Sequence, residues 1–238
     1  MKNRILTTFV FLLICLSSMV ITGCNLLSNN KKQESDVSKI KDNMINNLDN
    51  YSMSAKIVAQ TGIVDVNIDV NCKMDNKNEI EYCKSSTLGI MEVEEYLDYK
   101  NNKIYTKTNN LVSTDEDNGK WIIKKIDNKT NSQIKNWNSL NDYLKDLEVK
   151  EQDNGKLYSG KIDIKKVQKV ISSSDSNSKI NVPTLSNKDI PIEIFVNKDG
   201  YIEKTNTELE ILSIKENIEI KYFDFNNTGD VIIPKEAL

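Results

Sequence analysis

The sequence predicts an α+β fold that is mostly β, with one antiparallel, twisted sheet and helices on one side of it. Three observations predict this class. The segment 64–75 alternates apolar and polar residues, which is typical of a strand with one packed and one wet face. Asn-Gly or Asp-Gly pairs at 118–119, 154–155 and 199–200 each join two apolar-patterned runs, as tight hairpins do. Only three segments have helical periodicity, which is too few for a parallel sheet that needs a crossover helix between strands.

The N-terminus has the organisation of an export signal. Lys2 and Arg4 form a short positive region, and the uncharged run Ile5–Ile21 follows it. The run is marginal for a membrane-spanning helix, although an uncleaved anchor helix is the alternative interpretation. It ends in Ile21-Thr22-Gly23-Cys24, which resembles the bacterial lipobox. The resemblance implies that the Cys24 thiol is lipidated and that the signal is cut just before it.

These features predict three regions and a location. Residues 1–23 are the lipoprotein signal peptide, 24–35 a lipidated tether and 36–238 the folded domain. Acyl chains of the palmitate type on Cys24 anchor the protein to the extracytoplasmic face of the cell membrane, at the cell surface. Removing the two basic residues of the signal leaves a net charge of about −5, so the anchor and not a basic patch holds the chain there. The same charge argues against nucleic-acid binding.

The sequence of the first half of the domain predicts one helix followed by strands. Ser35 is a plausible N-cap, and Val37, Ile40, Met44 and Leu48 follow it at helical spacing. Alternating apolar patterns then predict strands at 53–60, 64–75, 79–86, 90–99, 103–107 and 121–126.

The second half predicts two more helices and a return to strands. The spacing of Ile134, Trp137, Leu140, Leu144 and Leu147 predicts a helix over 132–147. A strand at 157–163 precedes a short helix that carries Ile164, Val167, Val170 and Ile171, and Ser172–Ser178 is a low-complexity loop. Further strands are predicted at 190–197, 201–212, 216–225 and 230–233.

The order of several short motifs resembles the lipoprotein families with a LolA/LppX-like fold. The motifs are Leu48-Asp49-Asn50-Tyr51-Ser52, the hairpin Tyr99–Tyr105, Gly119-Lys120-Trp121, Asp199-Gly200-Tyr201-Ile202 and the C-terminal Ile232–Leu238. The resemblance implies a curved antiparallel half-barrel with helices on its concave side. It also implies an apolar cavity, which some members use to carry acyl chains. Clostridial spore-germination lipoproteins share this fold and act through a protein partner.

The composition excludes several chemistries. The chain has no histidine, so Ser-His-Asp catalysis, Cys-His catalysis and His-ligated zinc are absent. The acidic run Asp115–Asp117 lacks the spacing of a calcium loop and is expected to be a solvated hairpin tip. Trp121 and Trp137 could stack on a ligand ring, but core packing is the favoured interpretation. We therefore expect no enzyme activity, no metal and no cofactor.

Two classes of function stay open. The first is a membrane-anchored lipoprotein that binds a lipid or another apolar ligand in the half-barrel cavity. The second is a non-enzymatic interaction module that positions or activates a partner protein, such as a cell-wall or spore-germination enzyme, at the membrane. A carrier needs an apolar lining, whereas a module needs an exposed apolar patch or strand edge.

Cys72 and Cys83 are the cysteines left once the signal peptide, with Cys15, is removed and Cys24 is lipidated, and export permits their oxidation. A two-residue loop at Lys77-Asn78 pairs 72 with 83 and allows a disulfide. A three-residue loop at 76–78 pairs 72 with 82, matches Met74 with Ile80, and leaves two free thiols. The apolar pattern favours the second register.

The cavity, if present, is expected between the sheet and the helix 132–147. A narrow helix cannot fill a curved sheet, so a gap lined by apolar side chains is expected there. The predicted lining is Val66, Ile68, Val70, Ile134, Trp137, Leu140, Leu144, Ile218 and Ile220.

Overall fold

A computed structural model describes residues 31–125, 147–163, 189–211 and 214–238. Its strands are β1 (Asn50–Gln60), β2 (Asp65–Asp75), β3 (Ile80–Thr87), β4 (Met91–Asp98), β5 (Lys103–Asn110), β6 (Trp121–Lys125), β7 (Glu148–Gln152), β8 (Gly155–Ile162), β9 (Ile190–Asn197), β10 (Ile202–Ile211) and β11 (Ile214–Phe223). The described residues thus form an open antiparallel sheet of eleven strands, in the order β6-β5-β4-β3-β2-β1-β11-β10-β9-β8-β7. The strand pair β1–β11 joins the N-terminal and C-terminal halves of the chain at the centre of the sheet.

Helices are few in the described part of the chain. Helix α1 spans Lys31–Lys41 and continues as a π-helical turn over Asp42–Asn46. A single 3₁₀ turn covers Lys235–Ala237. In these residues no helix is both long and apolar enough to cross a membrane.

The predicted class, a mostly β fold with one antiparallel sheet, is confirmed. The helix expected over 132–147 lies outside the described residues except for Leu147, which is buried just before β7. The short helix after Ile164 and the loop Ser172–Ser178 also lie outside them. Helix α1 already includes Lys31 to Glu34, ahead of the predicted cap at Ser35, and the lysines, glutamine and glutamate of that stretch are good helix formers.

Two strand assignments were wrong. The sequence did not predict β7, because its five residues are all exposed and contain one apolar side chain, Val149. The strand predicted at 230–233 does not form, and the chain there is irregular up to the 3₁₀ turn. Val231 is nevertheless buried, and its backbone N–H donates to the Asp75 carboxylate at 3.2 Å. The alternating pattern of residues 230–233 therefore reflects the packing of a C-terminal segment against the sheet and not the pairing of a strand.

The core lies on one face of the sheet, which we call the core face. It carries the odd-numbered residues of β1, and the register places Ala55 opposite Val70 of β2 and Ile220 of β11. Val37, Ile40 and Met44 of α1 belong to the same buried cluster, so this helix packs on the core face. The opposite face carries the alternate residues of every strand.

Hydrogen bonds fix α1 against the turns at one end of the sheet. The Asn43 side chain donates to the Asp199 carbonyl at 2.6 Å, and Lys156 forms an ion pair with Asp36 at 2.6 Å. Gly200 has a positive φ of 91°, and a Cβ there would meet the Asn43 side chain at 2.8 Å. The predicted Asp-Gly turn is thus needed for both its backbone conformation and the close approach of the helix.

Candidate functional site

The core face is apolar across its centre and its β8–β9 side. Buried side chains follow one another from strand to strand there. They are aliphatic or aromatic except on β10, where the buried Thr205 and Thr207 lie between β11 and β9. They include Tyr51, Met53, Ile57, Ile68, Val70, Leu209, Ile218, Ile220, Tyr222, Ile190, Ile192, Ile194, Val196, Tyr158 and Ile162. This continuous surface is the part of the described chain best suited to an apolar ligand.

The predicted lining residues that the structure describes lie together on this face. Ile57 of β1 pairs with Ile68 on one side and with Ile218 on the other. Val70 and Ile220 flank Ala55 in the same way. Ile134, Trp137, Leu140 and Leu144 lie outside the described residues, so the helix side of the predicted cavity is not described.

Burial differs among these residues. Ile68, Val70, Ile218 and Ile220 expose 4% or less of their surface, whereas Val66 is only partly buried. Val66 is therefore the one of these five residues that solvent partly reaches, whereas neighbouring groups cover the other four.

The β3–β5 side of the core face is mixed: β4 contributes the buried Met91, Val93 and Leu97, and polar side chains lie around them. Glu81, Ser85 and Thr87 point inward from β3, and Glu95 faces Cys83 from β4. Thr106 of β5 donates to Glu95 at 3.0 Å. The apolar residues of β3, such as Tyr82, lie on the opposite face, so apolar content alone does not reveal which face of this strand is buried.

Burial changes the titration of the two glutamates. Burial raises the pKa of Glu81 to about 7, a hydrogen bond from Tyr99 at 2.8 Å opposes the rise, and nearby Glu95 adds to it. Burial also raises the pKa of Glu95, against the hydrogen bond from Thr106. Near neutral pH this side of the core face therefore holds less negative charge than its composition indicates.

Glu216 is the most unusual residue on the core face. Its side chain is fully buried (0% exposed), and neither carboxylate oxygen has a hydrogen-bond partner. Its neighbours across the strands are Ala59 and Leu209, both apolar. Burial alone raises the pKa of Glu216 to about 7. Buried carboxylates normally have partners, so an unpaired one on an apolar face marks a candidate binding group.

Glu216 also has a defined position relative to Val66. Both residues pair with Ala59, one from each side, so about 10 Å of sheet separates them. The accessible part of the apolar surface and its one unpaired carboxyl group therefore belong to the same end of the core face.

Cys72 and Cys83 form a direct cross-strand pair, and the structure joins them by a disulfide with an S–S distance of 2.06 Å. The register that matched Met74 with Ile80 is wrong, because Met74 faces Glu81. The turn decides the register: the Asp75 carboxylate accepts hydrogen bonds from the Asn78 backbone and side-chain amides at 2.9 and 2.7 Å.

The described residues offer no built metal site. The cysteine and carboxylate group whose ligand atoms lie close enough together comprises Cys72, Glu81 and Cys83. Its two sulfurs are joined to each other in the disulfide and carry no thiolate, which leaves one carboxylate.

Trp121 does not pack in the core, contrary to the favoured interpretation. It lies on the opposite face, half-buried, with its ring 5.7 Å from that of Tyr96 and Lys107 over it at 5.7 Å. Tyr82 continues this aromatic row at 4.7 Å from Tyr96. The row packs against itself, with rings tilted by 37° and 53°, and does not present one flat platform.

Two clefts are lined by described residues. One is an open groove of about 610 Å³ that runs across β1, β11, β10, β9 and β8, with Lys56, Glu193, Glu208 and Glu219 among its lining. These side chains lie on the opposite face, so the groove is separate from the apolar surface. The other, of about 240 Å³, lies between α1 and the start of β8, where the Lys156–Asp36 ion pair sits.

Several solved structures are similar to the chain, including the following two. Lipoprotein LppX of Mycobacterium tuberculosis has a TM-score of 0.49 and 11% identity, over 87% of this chain and 100% of that one. A DUF1329 family protein from Desulfovibrio piger has a TM-score of 0.33 and 8% identity, over 85% of this chain and 94% of that one. No family model matches the sequence, and no curated protein matches it. The LppX similarity agrees with the resemblance noted in the sequence, and it concerns the fold alone.

Proposed function

We propose that this chain is a membrane-anchored, extracytoplasmic lipoprotein that binds an acyl chain or another apolar ligand on the core face of its sheet. Cys24 carries the anchor. The sheet curves into a half-barrel around the ligand, because a twisted sheet of eleven strands tends to curl and not to stay flat. The helices lie on its concave side.

One observation carries the proposal: the core face is mostly apolar over six adjacent strands, from β2 to β8, interrupted by the buried Thr205 and Thr207 of β10, and it is partly accessible at Val66. An acyl chain needs a long apolar surface and few polar groups. The sheet supplies both, since strands lie about 4.8 Å apart and six of them span about 24 Å. That length is more than enough for an extended chain of about 16 carbons.

Glu216 gives the ligand a polar end in this proposal. An apolar ligand that carries a hydroxyl, amide or amine would place its donor against the unpaired carboxyl group, and its apolar part along the rows that contain Ile57 and Ile218. A purely hydrocarbon ligand would leave Glu216 unpaired and would bind less tightly.

The test uses the mature chain with Cys24→Ser and a fluorescent acyl probe. Saturable binding of the probe is expected. Val66→Trp fills the accessible part of the core face and should weaken binding by about tenfold. Val58→Trp is the matched control, because Val58 is half-buried on the opposite face of the neighbouring strand. A folded wild-type protein without saturable binding, or equal effects of both variants, would contradict the proposal.

The interaction module is the second candidate function, and the edge strand β6 favours it. Ile122 and Ile123 are 39% and 49% exposed, and the described residues place no strand beyond β6. An exposed apolar edge is a template for a strand from a partner protein. Capture of a partner that Ile122→Lys abolishes, with probe binding intact, would support this function.

A further inference from the structure

The two ends of the sheet differ in the chemistry of their turns. The β1–β2, β3–β4 and β5–β6 turns lie at one end, because successive hairpins of a meander alternate in direction. Each of these three turns, which we call the apolar tips, exposes two large aliphatic side chains. They are Ile63 and Val64, Leu88 and Ile90, and Leu111 and Val112.

This clustering is not a general property of the surface. Twelve large apolar side chains of the described residues are exposed, and six of them belong to the apolar tips, at 43–93% exposure. The turns at the other end are polar: 76–79 reads Asn-Lys-Asn-Glu, 99–102 reads Tyr-Lys-Asn-Asn and 153–154 reads Asp-Asn. Hairpin turns are normally polar, so the first end is the exception.

Hydrogen bonds join the backbones of neighbouring hairpins at this end of the sheet. The Leu88 N–H donates to the Asn67 carbonyl of β2 at 3.3 Å, and the Leu111 N–H donates to the Ile90 carbonyl at 3.0 Å. Within the first tip, the Thr61 hydroxyl donates to the Val64 carbonyl at 2.7 Å. The three tips therefore lie at one end of the sheet, and the first tip extends three residues beyond the bond between Leu88 and Asn67.

The backbone of the middle tip indicates that the exposed leucine is not there for folding. Leu88 has a positive φ of 52°, a region where glycine or asparagine is favoured and a leucine is strained. The residue is thus unfavourable for both its conformation and its exposure. Strained residues of this kind concentrate at functional sites.

We propose that the apolar tips insert into the surface of a phospholipid bilayer and orient the body of the protein on it. The tips are separate, and each projects two aliphatic side chains. Such tips suit a fluid acyl layer, because the lipid chains rearrange around them and no complementary surface is needed. The charges nearby indicate which lipid: Asp65, Asp115, Glu116 and Asp117 outnumber Lys120, so an anionic surface would repel this end. The bilayer is therefore zwitterionic or of low charge, and the contact is apolar.

The test places an environment-sensitive fluorophore on single cysteines in the full chain, reconstituted in dioleoylphosphatidylcholine vesicles. Ile63→Cys and Leu111→Cys report on the apolar tips, and Lys77→Cys and Asn101→Cys are the matched controls at the polar end. The unsubstituted chain, treated in the same way, is the blank for the native cysteines Cys15, Cys24, Cys72 and Cys83. Emission at the tips is expected to rise about threefold and to be quenched by nitroxide-labelled lipid, with no change at the controls.

Further arms separate insertion from other causes. Adding Ile63→Ser and Leu88→Asn to the Leu111→Cys chain should remove most of the emission change, while circular dichroism shows an intact sheet. Phosphatidylglycerol vesicles should give an equal or weaker response. The proposal would be overturned if aqueous iodide quenched the labels at the tips as strongly as it quenches the labels at the polar end. Protection that needs added protein would also overturn it, and so would a response confined to anionic vesicles and lost in salt.

Discussion

Replacing Glu216 with methionine is expected to stabilise the protein above pH 7 and to leave it almost unchanged at pH 4.5. The folded state raises the pKa of Glu216 from the ordinary 4.5 to about 7, and burial is the cause. Between these values the unfolded chain ionises while the folded chain keeps its proton. A raised carboxyl pKa therefore costs stability as pH rises, and the loss is complete above pH 7.

The size of the effect follows from the pKa difference. About 2.5 pKa units at 1.36 kcal/mol each give about 3 kcal/mol. Methionine has a similar volume, carries no charge and matches the apolar neighbours Ala59 and Leu209. At pH 8 the free energy of unfolding should thus rise by about 3 kcal/mol, and part of the native protein's pH dependence should disappear. The part that remains is expected from Glu81, whose pKa burial also raises to about 7, and from Glu95, whose pKa burial raises as well.

Chemical denaturation followed by circular dichroism, at pH 4.5 and at pH 8, measures both quantities. Glu208→Met is the matched control: Glu208 is exposed on β10, so its replacement should shift neither curve by more than about 0.5 kcal/mol. A Glu216→Met variant with the pH dependence of the native protein would refute the assignment of Glu216 as an unpaired buried carboxyl group.

Three further outcomes are expected. Cys24→Ala should leave the precursor uncut and unlabelled by a fatty-acid analogue, and normal labelling would contradict the lipobox interpretation. Cys72→Ser with Cys83→Ser should cost about 3 kcal/mol, since the bond closes a loop of 11 residues, and mass spectrometry of unreduced peptides that finds two free thiols would exclude the bond. Leu88→Asn should raise the free energy of unfolding by about 1 kcal/mol, because asparagine tolerates its positive φ; thermal unfolding tests this, and a loss of stability would show that Leu88 packs against something essential.

The strands that alternate strictly could be predicted from the sequence, and those that do not could not. β2 alternates over its whole length, so its bounds and its packed face follow from the pattern. β7 has one apolar residue among five. It is a strand because it pairs with β8, and no local sequence pattern reveals that pairing. The prediction of the β2–β3 register was wrong for a related reason. The hydrogen bonds of the Asp75 carboxylate fix a polar turn, and this turn outweighs the apolar match of Met74 with Ile80.

The candidate site was only partly predictable. Val66, Ile68, Val70, Ile218 and Ile220 share one face, as their alternation indicates. Glu216 was missed although the sequence carries its signal: it is in phase with Ile218, Ile220 and Tyr222, so a charged residue occupies an apolar position. The inward polar residues of β3 carry no such signal, because Ile80 and Tyr82 make the other face look like the buried one.

The apolar tips and the accessible part of the core face lie at the same end of the sheet. Val66 is two residues from Val64, and Glu216 is two residues from the start of β11 at that end.

If both proposals hold, a ligand passes from the bilayer to the core face without crossing water. Exposing a chain of 16 carbons to water would cost about 12 kcal/mol, at about 0.8 kcal/mol per methylene, so this route lowers the barrier to transfer.

Polar substitutions at Ile63 and Leu111 should therefore slow the transfer of a fluorescent fatty acid from vesicles to the protein. They should leave its equilibrium affinity unchanged, because these side chains do not touch the bound ligand. Val66→Trp should do the reverse and weaken affinity. Stopped-flow transfer and equilibrium titration separate the two effects, and equal changes of rate and affinity in the tip variants would show that the tips belong to the binding site itself.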